Sequence, residues 1–425
     1  MRSIGLSSGS APPQTAIVPI LSDTHPHRQP LPLQPKAVPA PGVHFFALDS
    51  GGVLFCEPAQ RFYDLNSTAA LCWLGLSEGL GEAPILEELV RAGAPAGEAQ
   101  AWWRQSLALF EAEGFLADSP PRERDVPPFD QGLREGQRLE RIPACVVHRF
   151  YRLFDTRFRI GFTSEAPLAS AGSMLARLAE PDARAGERSA DVEITVIGVG
   201  ERYLVARGMG LVGVAADLSG LMEKIESALM LTAIDATPHL LSLHGGALAK
   251  GGCGLLLPAP SGSGKTTLTA ALNLAGWDFG SDEISLLDSA ADMLRVAPMS
   301  ACIKEGSWPV LAPLTPELMV QPTHQRAGRT VRYLPPVGRT VDRYRATHVV
   351  FPRYARESET SLTPLSASTG LQRLLAECVS IPRRLTEKDA ARLVAWASGL
   401  SFFDLKLSGL PAALALLDSL AIKRA

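Results

Sequence analysis

The residue types in Ser261-Gly262-Ser263-Gly264-Lys265-Thr266-Thr267 and their spacing are those of a loop that could hold phosphate. An apolar run at 255–257 enters the loop, and a run of helical character at 266–274 leaves it before Gly276. Strand, Gly/Ser-rich loop, Lys-Thr and helix in that order are the context a phosphate loop requires. Gly262 and Gly264 let backbone N–H groups turn inward on phosphate oxygens. The helix N-terminus adds about half a positive charge. Lys265 would reach the β- and γ-phosphates, and Thr266 would offer its hydroxyl to Mg²⁺. The expected cofactors are therefore ATP and Mg²⁺, although nothing in the sequence reads adenine. The pattern G-x-x-x-x-G-K-[ST] places Ala259 where the first glycine belongs. A methyl fits there if φ is negative. The rival reading, a Gly-Ser turn before an amphipathic helix, leaves the coincidence of all four features unexplained.

The residues around the loop narrow the chemistry. Asp282 and Glu283 follow Gly276 by six and seven residues, directly after the loop helix. Adjacent acids beside phosphate and Mg²⁺ have the metal to offset their repulsion. Asp282 is expected to act as general base toward a substrate hydroxyl or as a metal ligand, and Glu283 as a metal ligand or helper. The alternative is a turn before a strand. Runs 284–287 and 294–298 around 289–292 read as a hairpin rather than a crossover, as do 244–250 and 254–257 around Gly251-Gly252. The loop is thus expected in a mixed or antiparallel sheet. Lys304 could bind substrate or phosphate. Arg326, Arg329 and Arg332 lie in a Gly/Pro-rich stretch, 321–339, read as a mobile loop that could lend one arginine to a transition state. Taken singly, each is expected to be solvated.

Positioning these groups needs a sizeable core, and the composition supplies one. The chain is 46% hydrophobic and 20% charged, which excludes wholesale disorder, and its formal net charge of -3 argues against a dedicated nucleic-acid binder while leaving room for a local basic patch. Its six cysteines form no C-x-x-C pair, so they read as buried thiols in a reducing compartment. No stretch reads as a membrane span or a secretion signal. The expected location is cytoplasmic.

Four segments follow from patterning. Residues 1–41 are Pro-rich and expected to be disordered. Residues 42–118 read as a small α+β module: strands at 44–49 and 53–57, an extended piece at 62–66 ending in the N-cap candidate Asn66, then helices at 67–76, 85–92 and 96–113. The pair Trp102-Trp103 reads as core. Residues 119–141 are a Pro-rich charged linker. Residues 142–425 form the catalytic domain. Its first part, 142–235, has strands at 146–150, 158–163, 192–199 and 203–207 and helices at 168–178 and 218–233, but no chemical motif. Its second part, 236–425, holds the phosphate loop.

His244, then Ala259-Pro260-Ser261-Gly262-Ser263-Gly264-Lys265-Thr266, then Gly276 with Asp282-Glu283 resembles the catalytic core of the HPr kinase family over roughly residues 240–300. That family phosphorylates a serine on a carrier protein. Its second acid is Asp where this chain has Glu283, and its C-terminal signature is absent here, which puts a folded carrier in doubt as substrate. Residues 150–420 are more distantly similar to HPr-kinase-related proteins of peptide-modification gene clusters. The resemblance implies that His244 lies near the γ-phosphate or the attacking serine. In the N-terminal module, Gly52-Val53-Leu54-Phe55, Tyr63-Asp64-Leu65-Asn66, Trp73 and Gly114-Phe115-Leu116 resemble PqqD. PqqD proteins bind leader segments of ribosomally made peptides as an added strand at a sheet edge. A DNA-reading winged helix is the rival, but the third helix has only Arg104 as a basic residue.

The expected architecture is α+β and α/β, a winged-helix-like PqqD module followed by an HPr-kinase-like P-loop domain with a mixed sheet. The expected activity is ATP- and Mg²⁺-dependent phosphorylation of a serine-type hydroxyl on a ribosomal precursor peptide, with neither nucleic acid nor membrane as partner and oligomeric state open. The alternatives are a non-catalytic ATP-binding peptide chaperone and a metabolite kinase or ATPase regulated by its N-terminal module.

Overall fold

The computed structural model describes residues 18–19, 37–95, 97–120, 138–180, 190–290 and 293–422. Its first unit is a four-stranded sheet under three helices. The elements are β1 (Val18–Pro19), β2 (Val43–Leu48), β3 (Gly51–Cys56), β4 (Arg61–Leu65), α1 (Ser67–Ser77), α2 (Glu82–Arg91) and α3 (Ala99–Ala112). The sheet order is β1-β4-β3-β2. Asn66 caps α1, its side-chain oxygen accepting the Ala69 N–H at 2.8 Å. Alternation along β3 sends Leu54 and Cys56 toward the helices and Val53 and Phe55 to the opposite face. Under the helices Trp73 meets Phe110 edge-on at 5.2 Å, and Trp103 is buried beside them.

Of the segment 1–41, expected to be disordered, residues 18–19 and 37–41 are described and the rest lies outside the described residues. Val18–Pro19 pairs with β4 in parallel, Val18 opposite Tyr63. Ala40 donates its N–H to the Phe115 carbonyl at 2.7 Å. Most of the expected linker 119–141 is likewise outside the described residues, and where it resumes Leu139 bonds the Met209 carbonyl at 2.9 Å.

The second unit contains β5 (Val147–Leu153), β6 (Thr156–Phe162), α4 (Leu168–Met174), β7 (Val192–Val199), β8 (Arg202–Arg207), β9 (Gly210–Ala215) and α5 (Leu218–Ala236). The strands form one sheet in sequence order. Only β6 and β7 are parallel, and α4 lies on the crossover between them. The strand β9 was not expected; its sequence, GLVGVA, holds two glycines that weaken a strand pattern.

The third unit contains β10 (Leu241–Lys250), β11 (Cys253–Pro258), α6 (Lys265–Leu274), β12 (Asp278–Ser281), β13 (Ile284–Leu287), β14 (Leu294–Val296), β15 (Ala301–Lys304), α7 (Trp308–Leu311), β16 (His324–Arg326), β17 (Arg329–Leu334), β18 (Arg343–Tyr344), β19 (His348–Tyr354), β20 (Ser361–Leu365), α8 (Ala367–Ala376), β21 (Cys378–Ser380), α9 (Glu387–Ser398), β22 (Ser401–Leu407) and α10 (Leu410–Ile422). The main sheet runs β18-β14-β13-β10-β11-β19-β22-β20, with β12 and β21 also paired to β10. It is mixed: β11 is antiparallel to β10 and parallel to β19. Both expected hairpins, β10–β11 and β13–β14, are present. Helices α6 and α10 pack on one face and α8 and α9 on the other.

Two features join the units. Val53, Phe55 and Phe62 of the first share a core with Leu371, Leu374 and Leu385 around α8 and α9. Gln60 closes that joint: its amide donates to the Leu385 carbonyl at 2.8 Å and accepts the Leu385 N–H at 2.7 Å. Helix α5 of the second unit packs on β16 of the third, in a core that also holds Ile284 and Tyr333. Among the described residues no helix is long and apolar enough to cross a membrane.

Candidate active site

The site forms where β11 ends. Two loop glycines carry the positive φ that the sequence expectation needs, Gly262 at 92° and Gly264 at 90°. Gly264 is also the residue from which α6 starts. Ala259 is buried and is not among the residues in the left-handed region, so its methyl is accommodated. The pocket at this loop is lined by Ser261, Gly262, Gly264, Lys265, Thr266 and Thr267 from the loop and helix, with His244, Glu283, Lys304, Arg326 and Arg329 around them. Ser263 is not in the lining, and its hydroxyl is buried without a partner.

Lys265 is 6% exposed and its ammonium donates to His244 Nε2 at 2.9 Å and to the Ala259 carbonyl at 3.2 Å. Burial lowers its pKa, against the attraction of Glu283, Asp282 and Glu377. Lys304 at the end of β15 donates to Ser261 Oγ at 3.1 Å, which sets a second cation on the loop. Thr267 Oγ1 and Ser307 Oγ share a hydrogen bond at 2.7 Å.

The two acids behave differently. Asp282 is 3% exposed, and its buried carboxylate oxygens have no hydrogen-bond partner beyond the weakly placed Thr266 hydroxyl. Burial and then the charge of Glu283 push its pKa up to about 8, although Lys265 and Thr266 are near enough to oppose this. A buried carboxyl without a partner is costly and calls for a cation or a proton. Glu283 is fully partnered. Its Oε1 accepts from Arg326 at 2.6 Å and its Oε2 lies 3.5 Å from His244 Nε2. Burial alone would raise Glu283, but Arg326 and His244 hold it well below the usual carboxylate range.

The structure therefore gathers His244, Lys265, Thr266, Asp282 and Glu283 at one locus, and it corrects the reading of the arginines. Residues 321–339 contain a β-hairpin rather than an irregular loop: β16 and β17 turn at Ala327 (φ 48°) and Gly328 (φ 72°), with Arg326 opposite Arg329. Two successive positive φ values make the tight turn whose twist suits a hairpin. Arg326 is not solvated. It bridges Glu283 to Glu226 of α5, the second contact 2.9 Å long. Arg329 is exposed at the pocket rim. Arg332 points elsewhere, stacking 4.2 Å over the Trp308 ring.

Sequence reasoning missed two acids. Glu226 is buried and accepts a long bond from the Tyr333 hydroxyl at 3.4 Å. Burial raises its pKa to about 7, with Arg326 opposing. Its signal was legible: Glu226 lies four residues after Met222 and three before Leu229, on the apolar stripe of α5. Glu377 follows α8 and lies within electrostatic reach of Lys265 and His244, its pKa raised by burial. A lone acid after a helix carries no comparable signal.

No family model matches the chain, and no curated protein matches it. Among solved structures it is similar to the Hpr(Ser) kinase/phosphatase from Coxiella burnetii, at 10% identity and a TM-score of 0.22, over 43% of this chain and 88% of that one.

Among the described residues no three His, Cys, Asp or Glu side chains gather as a metal cluster. Mg²⁺ held on a nucleotide does not require one, because it takes one or two protein oxygens and completes its shell with phosphate and water. The unpartnered carboxylate of Asp282, with Thr266 close to it, fits that demand.

Proposed function

We propose that the chain is an ATP- and Mg²⁺-dependent kinase that phosphorylates a serine-type hydroxyl on a ribosomally made peptide. The observation that carries the reading is the unpartnered, buried Asp282 carboxylate beside Lys265 and Thr266 of the phosphate loop. The Gly262–Gly264 loop and Lys265 would hold the triphosphate, and Thr266 and Asp282 would hold Mg²⁺, with Glu283 in reserve behind Arg326. When bound, Mg²⁺ neutralises charge on the transferred phosphoryl group. Asp282 would orient the acceptor hydroxyl and take its proton.

The peptide part of the reading draws support from the N-terminal sheet. The β4 edge takes up a parallel strand from the chain itself, Val18–Pro19, so it receives extended backbone, and a peptide held there would replace that segment. A peptide held there would meet the phosphate site at raised local concentration.

The test is an intact-mass assay with Mg²⁺-ATP and short peptides encoded beside the gene. A gain of one phosphoryl group, absent with Lys265→Ala, is the expected result. No gain, with ATP bound or hydrolysed, would move the reading to a peptide chaperone or a metabolite kinase.

A further inference from the structure

No Phe, Tyr or Trp lines the phosphate pocket, and an exposed tyrosine, Tyr354, stands outside that lining against the loop itself. Strand β19 runs parallel to β11, with Leu255 opposite His348 and Leu256 opposite Val349. The C-terminal end of β19 therefore comes up beside the loop that follows β11. Alternation along β19 puts Val350 in the core beneath α6 and Phe351 in the core on the opposite face. Tyr354 thus shares the α6 face with Val350. Two contacts fix it there. Its backbone N–H donates to the Ser263 carbonyl at 3.1 Å, and a Cβ built on Gly264 would stand 3.7 Å from the Tyr354 Cβ. Yet Tyr354 is 53% exposed, whereas Trp277 and Phe279 nearby in sequence to the loop helix are 1% exposed.

Resting on the nucleotide reading of the loop, we propose that Tyr354 is the base platform of the site: a purine of the nucleoside triphosphate stacks on its ring. A ring presents a π face to any base, so the platform would add affinity without choosing adenine over guanine. Its backbone bond to Ser263 ties it to the loop that holds the phosphates, which keeps base and triphosphate in register. Its 53% exposure leaves side-chain surface open to a base.

Isothermal titration in Mg²⁺ with three probes, ATP, GTP and inorganic tripolyphosphate, tests this. For the full-length protein, ATP and GTP should each bind about tenfold more tightly than tripolyphosphate. Tyr354→Ala should remove that margin, leave tripolyphosphate binding unchanged and keep the melting temperature. Tyr354→Phe, which retains the ring, should restore the margin. Unchanged ATP affinity in Tyr354→Ala overturns the proposal. So does equal weakening of ATP and tripolyphosphate, which would mean that Tyr354 only shapes the loop. If the unsubstituted protein binds none of the three probes, the nucleotide reading itself falls, and the platform with it.

Discussion

The ammonium of Lys265 stands 2.9 Å from Nε2 of His244. An ammonium can only donate, so the contact is a hydrogen bond in the tautomer whose Nε2 is bare. The same Nε2 lies 3.5 Å from Glu283, so one ring nitrogen faces both the ammonium and a carboxylate that Arg326 joins to Glu226, and it can serve only one of them at a time. A bound phosphate would take the ammonium from a neutral acceptor to an anionic one, a roughly twofold stronger bond.

That relationship separates the roles of the two residues. Lys265→Met should lose Mg²⁺-ATP binding by about a hundredfold or more, because hydrogen bonds to charged groups contribute about 1.5–3 kcal/mol each and Lys265 would make more than one. His244→Ala should weaken binding by less than about tenfold, since it removes only the resting partner of the lysine. Titration calorimetry on both variants checks this. Equal losses would mean that His244 itself touches the nucleotide.

Asp282 makes the stability of the nucleotide-free protein depend on pH. Its carboxyl rises from an ordinary 3.8 to about 8 on folding, through burial first and Glu283 second. Between those values the folded state keeps a proton that the unfolded state releases, so the contribution is fully present below about pH 4 and is lost as the pH climbs to about 8. Glu226, raised to about 7, adds to the same slope. Asp282→Asn should therefore match the unsubstituted protein in melting temperature at pH 4 and exceed it at pH 8, while phosphoryl transfer is lost. Parallel melting curves across that range would show that Asp282 is not a buried, unpaired acid.

Much of this site could be read from residue order because its elements are local. Strand, loop and helix around Lys265 are contiguous, and the hairpins on both sides turn at short polar or Gly-Gly links. The acids Asp282 and Glu283 follow at short range. What escaped comes from distant parts of the chain. Glu226 reaches Arg326 over one hundred residues, through the packing of α5 on β16. The β16–β17 hairpin turns at Ala327-Gly328, and Ala at a positive φ is a weak turn signal compared with Asn or Asp. The joint between Gln60 and Leu385, 325 residues apart, has no local signature at all.

Arg326 should prove structural before it proves catalytic. It is the bridge between Glu226 and Glu283, all three side chains at most 16% exposed. Arg326→Ala leaves two buried carboxylates without their common partner, at a cost of about 3–5 kcal/mol in urea unfolding. Adding Glu226→Gln should recover part of that loss, because one of the stranded charges is removed. A double-mutant cycle measures the coupling. Strict additivity of the two substitutions would sever the link between α5 and the acid pair.

The joint between the N-terminal sheet and helices α8 and α9 predicts that the phosphate domain does not stand alone. Gln60 satisfies both the N–H and the C=O of Leu385 in a buried setting, from a left-handed backbone at φ 51°. Gln60→Gly relieves the backbone but leaves both Leu385 groups unpaired, so it should destabilise by about 1–3 kcal/mol for each. Faster hydrogen exchange at the Leu385 amide would locate the loss. Removing residues 1–120 goes further, because it uncovers Leu371, Leu374 and Leu385, which share a core with Val53, Phe55 and Phe62. The shortened chain should bind a hydrophobic dye strongly and associate. A shortened chain that stays monomeric, dye-free and as stable as the whole would show that the two parts merely touch, and would revive the reading in which the N-terminal module only regulates an independent kinase.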